Sequence, residues 1–104
     1  MSREVRREVE GITFIWDVVK AASNAKKHGV SFNEALEILF DPNYRAEDAS
    51  VEGEVRYGVI GYSDKGRLLY TVVTDAGEQA WRIISARSVT AQERKRYEEE
   101  TDFA

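Results

Sequence analysis

Three regimes of hydrophobic patterning divide the chain. A mainly apolar run at residues 12–16 predicts a short strand or an extended lead-in. Asp17 follows as an N-cap, because its carboxylate can accept from helix N–H groups that otherwise lack a partner. Val18, Ala21, Ala22 and Ala25 then make a modest helical stripe, and Lys26 and Lys27 suit the negative end of the helix dipole. Gly29 suits the left-handed residue that closes such a helix.

A second helix is expected from Ser31, where Glu34 stands three residues on as a capping-box partner and Phe32, Ala35, Leu36, Leu39 and Phe40 share one face. Asp41-Pro42 ends it, since proline cannot extend the hydrogen-bond ladder. The period then becomes strand-like, with candidate strands at residues 44–49, 55–62, 68–74 and 80–86. Turn residues at 63–66 (SDKG) and 75–78 (DAGE) make this an antiparallel meander. A last helix begins at Thr90, where Glu93 repeats the capping-box spacing, and runs to Tyr97 or beyond into an acidic tail at Glu98, Glu99, Glu100 and Asp102. Trp16, Phe32 and Leu36 are the expected core, and Trp81 is the least certain of the aromatics.

Composition narrows the classes of function. A length of 104 residues leads us to expect one domain, 1–104, with frayed ends. The 42% apolar content fits a folded chain, while 33% charged residues give it a heavily solvated surface. No run approaches the ~18 apolar residues of a membrane span, and residues 1–10 alternate acids and bases, so the cytoplasm is the default expectation. The formal charge of -4 argues against broad, non-specific nucleic-acid binding but leaves room for a local basic face. Without cysteine there is no thiolate chemistry, and one histidine excludes HExxH and multi-histidine metal sites. No Gly-rich phosphate loop precedes a helix, so neither a metal nor a nucleotide cofactor is expected.

Two polar-rich words carry the strongest signal. Asp17, Lys20 and Asn24 lead into KHGVSF at residues 27–32 and the helix end at Asp41-Pro42; RIISAR at residues 82–87 is followed by Glu93-Arg94 and Tyr97. Over almost its whole length the chain thus resembles the BrnT family, the toxin half of a type II toxin–antitoxin pair. The resemblance implies an α+β, RelE-like fold, an antiparallel sheet packed against helices on one side. It also implies RNA cleavage that arrests translation, on free RNA or on ribosomes, and a BrnA-like antitoxin through which alone the toxin reaches operator DNA.

A metal-independent ribonuclease needs a base for the ribose 2′-OH, cations for the phosphoryl transition state and an acid for the leaving 5′ oxygen. Arg87 is the first candidate for phosphate contact: its guanidinium is a fixed donor fork just before the Thr90 helix start. Arg82 is second, although a strand residue can face either side. For both, the competing role is a surface arginine holding a carboxylate. Lys20 and Lys27, seven residues apart on one helix face, are candidates for drawing in an RNA backbone, or are simply solvated lysines. His28 either transfers protons or caps the last helix carbonyls. Glu54 is a candidate base on the face it shares with Arg56, where the two could meet Arg82 across strands or form an exposed ion pair. Glu93 rivals it only by leaving its cap. An interaction module that binds an antitoxin or another protein, with little or no nuclease activity, is the alternative from a different class.

Overall fold

A computed structural model describes residues 3–101. Six strands, β1 (Glu4–Val9), β2 (Ile12–Asp17), β3 (Arg45–Asp48), β4 (Tyr57–Tyr62), β5 (Leu68–Gly77) and β6 (Ala80–Ser88), form one sheet in the order β1-β2-β6-β5-β4-β3. Helices α1 (Val18–His28), α2 (Phe32–Ala35) and α3 (Ala91–Thr101) complete it, with a 3₁₀ segment, Leu36–Phe40, continuing α2. The expected fraying of the ends, and the tail residue Asp102, fall on residues 1–2 and 102–104, which lie outside the described residues.

The local signals act as their chemistry dictates. Asp17 accepts from Val19 N at 2.9 Å, and Gly29, at φ 69°, closes α1 with its N–H on Ala25 O. Ser31 Oγ accepts from Glu34 N at 3.1 Å, but the Glu34 carboxylate does not complete a capping box. It is buried and takes Ser63 Oγ at 2.7 Å and Arg67 Nε at 2.9 Å, tying α2 to the β4–β5 turn. The second helix is also shorter than its periodicity implied: one α-helical turn, then 3₁₀ geometry over Leu36–Phe40. This segment presses so closely on β4 that a Cβ at Gly61 would stand 2.8 Å from Ile38 O.

Pairing departs from a simple meander in two ways. Strand β1, hidden in the charged N-terminal stretch, pairs antiparallel with β2, and β2 then pairs parallel with β6, a contact between distant parts of the chain. The candidate strand at 55–62 begins only at Tyr57, because residues 51–54 close a tight turn through reciprocal Val51 and Glu54 hydrogen bonds. Likewise, β5 continues to Gly77, so the β5–β6 loop is Glu78-Gln79 rather than DAGE, both residues at positive φ (48° and 60°).

Helices lie on both faces of the sheet, not on one. Phe14, Trp16, Val59, Leu69, Val73 and Ile83 point to the face covered by Phe32, Leu36 and Ile38, and form the main core. Trp16, Phe32 and Leu36 are only 4%, 2% and 2% exposed, so the three expected core residues are enclosed, whereas Trp81 is half-buried. On the opposite face, Ile60, Leu68 and Tyr97 make a small second cluster beneath α3. Asn24 seals an open sheet edge: its side chain donates to Ala86 O at 2.8 Å and accepts from Ala86 N at 3.1 Å, standing in for a neighbouring strand.

Candidate active site

A row of polar side chains crosses the α3 face from β6 to β3. Register aligns Arg87 with Tyr70, Ser85 with Val72 and Arg82 with Thr74, so these side chains share a face. The Arg87 guanidinium carbon lies 4.4 Å from the centroid of the Tyr70 ring. The ring leans outward across β4 at Gly58, where a Cβ would fall 2.0 Å from Tyr70 Oη, so only glycine leaves room for the phenol. Tyr70 Oη donates to Glu47 Oε2 at 3.3 Å, and Arg96 Nη2 of α3 donates to Glu47 Oε1 at 2.7 Å.

Arg87 is held from below by the start of α3. Its Nη1 donates to Glu93 Oε1 at 2.8 Å and to Ser88 O at 3.1 Å, and its Nη2 donates to Glu93 Oε2 at 3.0 Å. Glu93 meanwhile completes the capping box anticipated from the sequence: Thr90 N donates to Glu93 Oε1 at 2.9 Å, and Glu93 N to Thr90 Oγ1 at 3.1 Å. Cap and charge partner are therefore one carboxylate. Arg87 hydrogen bonding holds Glu93 below the usual carboxylate range, against its burial, so it is ionised at neutral pH. Burial, reinforced by the Glu47 carboxylate, pushes the Tyr70 phenol above its ordinary value, so it carries its proton there. The row thus offers a fixed cation, a protonated phenol and a carboxylate side by side.

The other expected site residues are scattered around this row. Arg82 shares the Arg87 face but pairs with Glu4 of β1 at 2.5 Å, some five residues, or roughly 16 Å, along β6. Glu54 and Arg56 pair with each other in the β3–β4 connection, as an exposed ion pair and not as strand neighbours meeting Arg82. Lys20, Lys27 and His28 are exposed on α1, and their side chains make no hydrogen bond or ion pair among the described residues; His28 caps no carbonyl. Reasoning from sequence missed Tyr70, Glu47, Gly58 and Arg96. Only strand register brings the first three together, and no local spacing announces it. On the other face, an apolar hollow of about 230 Å³ between Ile12, Tyr44, Tyr57 and Trp81 offers contact surface and not phosphoryl chemistry.

Residues 16–93, which hold Arg87, Tyr70, Gly58, Glu47 and Glu93, match the family model described as ribonuclease toxin, BrnT, of type II toxin–antitoxin system. The chain belongs to the BrnT family of ribonuclease toxins. It is also similar in fold to the Brucella abortus ribonuclease toxin BrnT, known from a 1.1 Å crystal structure, with a TM-score of 0.54 and 25% identity over 72% of this chain and 92% of that one. No curated protein matches it by sequence. The α+β, RelE-like class implied by the BrnT resemblance is thus the class observed, with the mixed sheet and two-sided helix packing described above. Among the described residues no helix is long and apolar enough to cross a membrane.

Proposed function

We propose that this BrnT-family chain cleaves RNA at the Arg87–Tyr70 row by attack of a ribose 2′-OH on the adjacent phosphorus. The observation that carries the reading is the Arg87 guanidinium fixed over Tyr70 on an accessible sheet face, with the Arg87 side chain 37% exposed. In the step, the 2′-oxygen–phosphorus bond forms and the phosphorus–O5′ bond breaks. Glu47, the carboxylate at the Tyr70 hydroxyl, takes the 2′-OH proton, and Tyr70 gives its proton to the leaving O5′. Arg87 stabilises the charge that builds on the phosphoryl oxygens. Arg82, on the same face of β6 but held by Glu4, is a further phosphate contact in this reading, while Lys20, Lys27 and His28 stand exposed on α1, outside the row. Neutralisation by a BrnA-like antitoxin, with operator DNA reached only through the complex, is part of the same reading and is supported by membership in a type II toxin–antitoxin family.

A protein-interaction module with little nuclease activity is the competing reading. It is favoured by the carboxylate that each of Arg45, Arg82, Arg87 and Arg96 already holds. Purified protein on labelled single-stranded RNA with EDTA present decides between them. Cleavage leaving 2′,3′-cyclic phosphate ends is expected; intact RNA, both free and on translating ribosomes, would select the interaction module.

A further inference from the structure

Resting on that nuclease reading, we infer that Glu93 is a positioning residue that turns one particular edge of the Arg87 guanidinium toward the scissile phosphate. A guanidinium has five N–H donors in one plane, arranged as an end-on fork between Nη1 and Nη2 and a side-on fork between Nη2 and Nε. In this chain the end-on fork is filled by the two Glu93 oxygens, and the remaining Nη1 hydrogen is taken by Ser88 O. Arg87 Nε and the second Nη2 hydrogen have no acceptor among the described residues, and Nε is not among the buried polar atoms lacking a partner. The side-on fork is therefore the free one. Its spacing matches two oxygens of one phosphate, and bidentate binding of that kind fixes orientation as well as charge.

Each part of the clamp has a structural origin. Glu93 is immobilised by the capping box, so the start of α3 sets the carboxylate, the carboxylate sets the guanidinium plane, and the Tyr70 ring supports that plane from one side. Without Glu93 the arginine keeps its charge and loses its heading. Misplacement of a catalytic contact by about 1 Å can cost on the order of 100-fold in rate. The carboxylate also occupies the edge along which phosphate would otherwise bind end-on, which leaves a single productive approach.

The test is Glu93→Gln, alone and combined with Arg87→Ala, on labelled single-stranded RNA. Glutamine serves at this capping-box position, so thermal unfolding of Glu93→Gln should stay close to wild type. The single variant should lose about 10- to 100-fold in kcat with little change in KM. In the Arg87→Ala background the same change should cost nothing further, because a positioning residue has nothing left to position. Nitrogen-15 NMR gives an activity-independent readout: the Arg87 Nη resonances, distinct in the clamped wild type, should merge in Glu93→Gln as the guanidinium rotates. Wild-type kcat in Glu93→Gln, or an equal loss in both backgrounds, would overturn the inference while leaving the nuclease reading intact. An inactive wild type with a clamped Arg87 would overturn both.

Discussion

The Arg87 guanidinium and the Tyr70 ring face each other across the β5–β6 pair at 4.4 Å, the one place where a cation and a phenol are stacked among the described residues. The phenol lies over Gly58, in the space that a Cβ there would fill. Charge, proton donor and support thus depend on a missing side chain two strands from Arg87.

Gly58→Ala should for that reason damage the site more than the fold. A methyl group 2.0 Å from Tyr70 Oη forces the ring off Glu47, so RNA cleavage should fall by at least about 10-fold on the scale of lost acid–base catalysis. Unfolding midpoints and cleavage rates measured on the same preparation separate the two effects. Unchanged cleavage would show that the Tyr70 hydroxyl is not used.

Glu34 gives stability a defined pH dependence. Hydrogen bonding to Arg67, opposed by burial and helped by Ser63, lowers its folded value below the ordinary 4.5. A depressed carboxylate stabilises the fold fully above its unfolded value and loses that contribution as pH falls through the folded one. Glu34→Gln should therefore be clearly less stable than wild type near neutrality, and the gap should narrow under acid conditions. Urea unfolding at a series of pH values measures it; a gap independent of pH would contradict the role given to the ionised carboxylate.

Leu36→Ala should cost about 2–5 kcal/mol, since Leu36 is enclosed in the main core and its truncation leaves a cavity as well as losing apolar transfer. A loss below ~0.5 kcal/mol in equilibrium denaturation would be at odds with that packing.

Gln79→Gly should move stability the other way. Gln79 sits at φ 60° in the two-residue β5–β6 loop, where a side chain costs on the order of 1 kcal/mol and glycine does not. A rise of about that size in unfolding free energy is expected, reduced by the greater freedom glycine gives the unfolded chain. A large loss would mean that the Gln79 side chain holds the turn.

Signals that act within a few residues were legible in the sequence. Asp17, Gly29, Ser31 and the Thr90–Glu93 pair mark helix ends because caps act locally, and Arg87 stood out because it precedes one of them. Strand β1 escaped notice because, as an edge strand, it exposes most of its side chains and shows only Val5 and Val9 to the core. The parallel β2–β6 pair and the placement of α3 opposite α2 are long-range outcomes of burial, without a sequence period of their own. Tyr70 and Glu47 were illegible for the same reason. Their meeting with Arg87 depends on register, in which the irregularities at Asp75/Gly77 and Val72/Val73 offset one another, and on a turn at Glu78-Gln79 instead of DAGE.

Arg87→Ala on labelled single-stranded RNA, with EDTA present and circular dichroism to confirm the fold, bears most directly on the cleavage site. Loss of a donor aimed at transition-state charge should reduce kcat by about 100- to 1000-fold, and Arg87→Lys, which keeps the charge without the fork, should recover only part of it. An alanine variant that cleaves at the wild-type rate would remove Arg87, and with it the Arg87–Tyr70 row, from the mechanism.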